Sequence, residues 1–404
     1  MNIPKLRFKE FTDEWIAIKL NDISKTFDYG MNVASTSFDG KNKYIRITDI
    51  DDVSHKFLKN NIVSPSGSLE DKYLVRNDDI LFARTGASTG KTYLYNSNDG
   101  ILYFAGFLIR INVLKSYNSY FIFQNTLTKK YTDWVKVESI RSGQPGINAE
   151  QYKSYSIKCP TLAEQNKIAN FLSTVDKKIT NLENTITSLE NQKKGLLQQI
   201  FSQKLRFKDK NGNNYPDWIN STIGKSGYFY YGKSAPKWSI TDTATIPCVR
   251  YGELYTTHNI MVKKIYSYTN IPKENLKFST GNEVLVPRVG EEPLDFCKCC
   301  YLPFKDVAIG EMISVYNTKN NPLFISYMFN ATMKYKFAKL VEGGNVSNLY
   351  YSYLENIKIK LPCLEEQTKI ADFLSAFDRK LENQKAQLEH WKQIKKGLLQ
   401  QMFV

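Results

Sequence analysis

The stretch Arg84–Thr92, "RTGASTGKT", closes on Gly90-Lys91-Thr92, the ending of loops that cradle phosphate with backbone amides and a lysine. A nucleotide-binding loop of that kind spaces its glycines by four residues. Here Gly86 and Gly90 enclose three. The cluster "CKCC" supplies Cys297, Cys299 and Cys300 as three potential thiolates. No second cysteine pair or histidine stands at metal-ligand spacing, so no metal is expected. With Cys159, Cys248 and Cys363, these cysteines read as reduced thiols of a cytoplasmic protein. "NNPLF" (Asn320–Phe324) lacks the second proline of an amino-methyltransferase motif, and "PLDFCK" (Pro293–Lys298) lacks the second acid of a nuclease carboxylate pair. The histidines His55, His258 and His390 are isolated in sequence, and no residue is assigned a catalytic role.

The charge balance points to a polyanion. Lys and Arg number 55 against 40 acids, a net charge of +15 with an isoelectric point near 9.2. Nucleic acid is the first candidate and a solvated basic surface the plain alternative. The opening "MNIPKLRFKE" has no apolar signal-peptide core. The most apolar run, Ile101–Leu114, is too short to span a bilayer and contains Arg110.

The elements that position these residues are written twice. "EQNKIANFLSTVDKK" (Glu164–Lys178) returns as "EQTKIADFLSAFDRK" (Glu366–Lys380), 202 residues on, with ten of fifteen positions identical. "KKGLLQQIF" (Lys193–Phe201) returns as "KKGLLQQMF" (Lys395–Phe403) at the same offset, and "KLRFK" stands at Lys5–Lys9 and Lys204–Lys208, each followed by a tryptophan, Trp15 or Trp218. Between these matches the halves agree faintly at an offset of 204: "YIRITDI" (Tyr44–Ile50) with "CVRYGEL" (Cys248–Leu254), "DILFARTG" (Asp79–Gly86) with "EVLVPRVG" (Glu283–Gly290), and "GFLIRI" (Gly106–Ile111) with "GEMISV" (Gly310–Val315). Short apolar runs broken by Gly, Asn, Asp and Ser make these stretches mixed β with some helix.

The repeated segments are helical. Thr161 and Glu164 fit a capping box at the start of the first. Apolar residues then alternate by four and three at Ile168, Leu172, Val175, Ile179, Leu182, Ile186, Leu189, Leu196 and Ile200, with Lys193 in the one gap. The second copy reads Ile370, Leu374, Phe377, Leu381, Leu388, Trp391, Leu398 and Met402, with Gln384 and Lys395 at polar positions. A 3.5-residue repeat held this long marks a coiled coil, each helix about 60 Å long. The matching copy in the same chain is the nearest partner, although homodimerisation through each helix is an alternative. Antiparallel pairing is expected, because it sends the two variable domains to opposite ends. The junction "KKGLLQQIFSQKLRF" in mid-chain further suggests a circular repeat, in which the C-terminal "KKGLLQQMF" runs on to the N-terminal "KLRF".

This layout resembles the specificity subunit of a Type I restriction–modification system. The resemblance rests on the "P-x-L-x-EQ-x-KIA-x-FL-S" runs at Pro160–Ser173 and Pro362–Ser375, on "KKGLLQQ" ending both helices, and on the "R-x-G" loop in "ILFARTGASTGK". It implies an α+β fold: two mixed α/β target recognition domains (1–160 and 204–362) and two long helices (161–203 and 363–404) forming an antiparallel coiled coil with an internal pseudo-twofold repeat. It further implies a non-catalytic subunit that reads a bipartite site in double-stranded DNA, one half per domain. The helices would set the spacer and dock two methyltransferase subunits. S-adenosylmethionine, ATP and Mg would reside on those and on restriction/translocase subunits, with no cofactor in this chain and no membrane partner. A coiled-coil adaptor for proteins alone, and a nucleotide hydrolase using Gly90-Lys91-Thr92, are the competing readings.

The duplication also sorts the DNA-facing residues. Arg46 with Arg250, and Arg84 with Arg288, agree between halves, so they belong to phosphate contact or to loop support, the latter through an acid such as Asp49 or Glu253. Base-reading residues should differ. In the first domain these are Ser88, Thr89, Lys91, Arg141 and Gln144, and in the second Glu291, Glu292 and Asn345 within "EGGNVSN" (Glu342–Asn348). Lys91 is expected to meet a DNA phosphate.

Overall fold

The computed structural model describes residues 3–140 and 143–404. Two compact units make up the chain: Met1–Asn184 with Ala386–Val404, and Thr185–Lys385. Each unit therefore contains one variable domain, the start of the long helix that follows it, and the end of the other long helix. The central helix is Leu162–Phe201 and the C-terminal helix Leu364–Met402.

In the first unit a four-stranded antiparallel sheet runs in the order Ser24–Tyr29, Leu108–Val113, Asp79–Ala83, Thr92–Leu94. Every residue of "DILFA" (Asp79–Ala83) is buried, because successive side chains enter opposite cores. Ile80 and Phe82 pack with Phe121, Tyr131, Tyr152 and the helix residues Ile168, Leu172 and Met402. Leu81 and Ala83 pack with Ile45, Ile50, Leu102 and Phe104. The second unit repeats the order with Gly227–Tyr231, Ile313–Thr318, Glu283–Pro287 and Cys300–Leu302. Val284 and Val286 face Phe324, Phe329, Ile370 and Leu374, while Leu285 faces Val249, Leu254 and Ile309. The strands Lys43–Ile45 and Ile246–Val249 both pair in parallel, with Leu102–Phe104 and Lys305–Ile309 respectively. The faint 204-residue offset thus reflects one shared fold.

The short repeats tie each domain to its helix. Arg7 grips Glu164 with two bonds of 2.8 Å, and Trp15 Nε1 donates to the same carboxylate at 3.3 Å. In the second unit Arg206 grips Glu366 at 2.8 and 2.9 Å, and Trp218 Nε1 donates at 3.1 Å. Among the described residues no bond joins the Glu164 carboxylate to the Thr161 amide as a capping box would; it serves Arg7 and Trp15. Gln165 instead bonds back to the Pro160 carbonyl at 2.9 Å, as Gln367 does to Pro362. The circular repeat is realised in hydrogen bonds. Leu205 N donates to Gln199 O across the continuous chain, and Leu6 N donates to Gln401 O across the chain ends.

Within each unit the helices run antiparallel. Asp176 meets Lys395 and Glu183 meets Lys392 in the first unit. Glu190 meets Lys385 and Lys193 meets Asp378 in the second. Lys193 and Lys395, the two lysines that interrupt the seams, thus each face an aspartate on the other helix. Ile168, Leu172, Val175, Ile179, Leu182, Ile186 and Leu189 are buried and Leu196 half-buried. The C-terminal helix buries Ile370 and Leu374 but leaves Phe377, Leu381, Leu388, Trp391 and Leu398 half-buried.

Candidate nucleic-acid interface

The strand Asp79–Ala83 ends in Arg84, whose amide donates to Phe107 O and whose carbonyl accepts from Ile147 N. Beyond it Gly86 takes a φ of +72°, a conformation costly for residues with a Cβ. Gly86 N donates to Pro145 O at 2.9 Å, and Thr89 Oγ1 donates to Gly86 O and Pro145 O at 2.8 and 3.2 Å. The "RTGASTGK" loop and the segment Gln144–Ile147, far apart in sequence, therefore form one surface. A Cβ on Gly90, at φ +86°, would stand 2.4 Å from Val135.

This geometry answers the phosphate-loop question. The amides of Gly86, Thr89, Gly90 and Lys91 donate to Pro145, Gly86, Ala83 and Ser88 carbonyls respectively. An anion cradle needs such amides free. The loop is a self-bonded turn.

Arg84 lies over the Tyr29 ring, 4.9 Å from its centre, and forms no ion pair among the described residues. Arg288 repeats this. Its amide donates to Met312 O, its carbonyl accepts from Leu349 N, and its guanidinium sits 4.2 Å above Tyr231 and 5.8 Å from Tyr350. Arg288 Nε is buried without a partner among the described residues. Burial raises the Tyr231 pKa, so its ring stays a neutral platform for the cation. Val289–Gly290 then pairs with Ser347–Asn348, which pairs with Glu342–Gly343, and exposed Asn345 stands at the tip. Both units thus join their Arg-x-Gly loop to the same late segment. Gln144 in the first and Glu291 in the second project from this joint as exposed residues. Glu292 is exposed too, but its carboxylate caps Leu294 N at 3.4 Å.

Three assignments change in character. Arg46 spends its fork on Asp49 at 2.8 Å through both Nε and Nη2, and Asp49 also accepts the Arg46 amide. Its counterpart Arg250 starts a helix whose Glu253 accepts the Arg250 amide at 2.7 Å. The Arg46 guanidinium braces a strand-to-helix corner through Asp49, the loop-support role, whereas at the matching corner Arg250 meets Glu253 through its backbone amide. Lys91 points inward: its ammonium donates to Ile50 O at 3.0 Å and pairs with Asp52, and only 12% of its side chain is exposed. Ser88 and Lys91 line a shallow groove with Thr48 and Asp51. Arg141 lies outside the described residues. Cys297, Cys299 and Cys300 are buried core thiols whose pKa values burial raises, as it pushes Cys159 and Cys248 up to about 12.

Sequence reasoning missed the tyrosine platforms. "SKTFDYG" (Ser24–Gly30) and "SGYFYYG" (Ser226–Gly232) align at the 202-residue offset with Ser, Phe, Tyr and Gly in common. That match would have found Tyr29 and Tyr231. The glycines are needed, since a Cβ at Gly30 or Gly232 would lie 2.3 or 2.1 Å from a backbone oxygen.

The family described as Type I restriction modification DNA specificity domain matches residues 12–191 and 217–390. A putative type I restriction enzyme MjaX specificity subunit of Methanocaldococcus jannaschii is 25% identical across 98% of this chain and 95% of its own length. The MjaVIII specificity subunit of the same organism is 24% identical across 86% and 83%. Among solved structures, a Type I restriction–modification S subunit from M. genitalium superposes with a TM-score of 0.61 at 16% identity, covering 100% of this chain and 99% of that one. A chain from a study of type I restriction–modification complex assembly superposes at 0.56 with 15% identity, over 95% and 96%.

Proposed function

The chain belongs to the Type I restriction–modification DNA specificity family, with two recognition domains, and on that premise we propose that each domain reads one half of a bipartite duplex site through its arginine–tyrosine joint and the loops beyond it. The observation that carries this is the recurrence of one joint at one topological place in both units. Arg84 on Tyr29 and Arg288 on Tyr231 are alike, while the projecting residues are Gln144 in one and Glu291 and Asn345 in the other. Glutamine and asparagine suit adenine edges, and glutamate suits the cytosine amino group. Residues 1–160 and 204–362 serve as the recognition domains. The long helices, 161–203 and 363–404, set the spacer and dock two methyltransferase subunits.

The chain itself is non-catalytic and cytoplasmic. Methyl transfer, with S-adenosylmethionine, resides on the methyltransferase subunits, and ATP- and Mg-dependent steps on restriction subunits. Co-expression with the methyltransferase subunit, followed by mapping of adenine methylation across a genome, tests the reading. A split motif with a fixed unspecified spacer is expected. A continuous motif, or none, would overturn it. Duplex affinity should also fall by orders of magnitude over a few-fold rise in salt, which an adaptor for proteins alone would not show.

A further inference from the structure

A loop leaves the Tyr231 platform. From Gly232 it runs through Lys233, Ser234, Ala235, Pro236 and Lys237 to Trp238, which is 73% exposed. Trp15 and Trp218 are buried and Trp134 and Trp391 half-buried, so this indole alone among the five tryptophans faces solvent. It does not dangle. Ser234 and Ala235 take φ values of +62° and +61°, sparsely populated for residues with a Cβ, and the surroundings hold them there. Lys233 N donates to Ile309 O, and Glu311 N donates to Ser234 O. Ala235 is buried with Cys248, Leu276 and Ala308. On the far side Ser239 is fully buried, bonded to Pro236 O at 2.7 Å and paired with Thr269 Oγ1 at 2.8 Å. Trp238 is thus held outward between two buried anchors.

Lysines stand around it, together with the exposed acids Glu274 and Glu311. Lys233, Lys237, Lys273 and Lys277 are all exposed, and none forms an ion pair among the described residues. Lys233 Nζ donates to the Glu274 carbonyl at 3.2 Å, and Lys277 Nζ lies 5.3 Å over Tyr230. The same loop begins at the ring beneath Arg288. At the 202-residue offset the first domain has Met31, Ser35 and Thr36 in place of Lys233, Lys237 and Trp238, and Ser35–Ser37 is an exposed strand instead of a turn.

We propose that Lys233–Trp238 is a DNA-contacting element special to the second recognition domain. Lys233 and Lys237 engage phosphates, and the Trp238 indole packs against sugar or base faces beside the half-site that Arg288 addresses. This deepens the proposed function and rests on it.

The test uses the full-length chain and a duplex carrying its mapped methylation site. Duplex should shield tryptophan fluorescence from acrylamide in the wild type, and the shielding should vanish in Trp238→Phe. Trp238→Ala should weaken binding about tenfold, with Trp238→Phe retaining most affinity and both keeping the wild-type melting temperature. Bound duplex that leaves Trp238 open to acrylamide, or unchanged affinity in Trp238→Ala, overturns the proposal. Shielding by the methyltransferase subunit without DNA would make this face a protein contact and overturn it equally. Failure of the wild type to bind any duplex would instead remove the family reading beneath it.

Discussion

The joints between domain and helix repeat almost atom for atom, whereas the loop clusters share little beyond an arginine on a tyrosine. Arg7–Glu164–Trp15 and Arg206–Glu366–Trp218 agree in partners and nearly in distance. Past Arg84 and Arg288 the two loops turn differently and carry opposite charge. The contrast separates parts that must fit the common frame from parts free to meet different surroundings. The largest test of that separation lies in the frame. Glu164 and Glu366 are both essentially inaccessible, and removing either carboxylate strands a guanidinium and an indole. Glu164→Ala and Glu366→Ala should each cost on the order of 3 kcal/mol, read in the denaturant midpoint, and by similar amounts. A large inequality would show that the two joints are alike in geometry but not in energy.

Replacing the loop residues should act on recognition and leave stability alone. Gln144→Ala and Asn345→Ala remove exposed amides, so melting should not move. Each should relax base preference within one half of the methylated motif, by about 1–3 kcal/mol at the position read. Equal relaxation of both halves by one substitution would dissolve the division between frame and reader.

Why the frame was legible and the loops were not follows from these same residues. The helices carry periodic apolar positions whose spacing alone marks a coiled coil, and "EQ-x-KIA-x-FL" is held by contacts that tolerate little change. Arg84 and Arg288 were legible as shared positions for the same reason. The tyrosines beneath them carry no periodic signature and show only in the match of Ser24–Gly30 with Ser226–Gly232. The inward turn of Lys91 depends on Asp52 and Ile50, which only the tertiary fold brings near. Glu164 misled as a capping residue because local spacing favoured a bond that Arg7, from the far end of the domain, outcompetes.

Each variable domain also encloses one histidine, His258 buried and His55 half-buried, and the two differ in what they hold. His55 Nδ1 contacts the Thr92 carbonyl at 2.8 Å, while His258 Nε2 has no partner among the described residues. Burial lowers both pKa values below the ordinary 6.5. The folded state therefore resists protonation, and the stability these neutral rings support, present above pH 6.5, is lost as pH falls through that value toward the folded pKa. His258→Phe should flatten the acid side of the stability profile at little cost at pH 8. His55→Phe should flatten it too, but lose about 1 kcal/mol at every pH with the Thr92 contact. Urea midpoints across that range would separate the two.

The smallest expected effect concerns how two nearly identical helices choose one another. At the 202-residue offset Glu183 corresponds to Lys385 and Glu190 to Lys392, so the central helix carries acids where the C-terminal helix carries bases. Glu183 meets Lys392 in the first unit and Glu190 meets Lys385 in the second. An antiparallel pair of two central helices would set Glu183 against Glu190, and a pair of two C-terminal helices Lys385 against Lys392. The apolar seams alone do not forbid either pairing. These charges do. Each pair is partly exposed and worth about 0.2–1 kcal/mol, so Lys385→Glu with Lys392→Glu should lower stability by about 1 kcal/mol at low salt and less at high salt. Adding Glu183→Lys and Glu190→Lys should restore most of that loss, because the pairs return with their signs exchanged while Lys56, 3.3 Å from Glu183, then meets a like charge. A loss equal to that of Lys385→Gln with Lys392→Gln, and not recovered in the fourfold variant, would mean that the seams and the half-buried Asp–Lys contacts choose the partner without this mark.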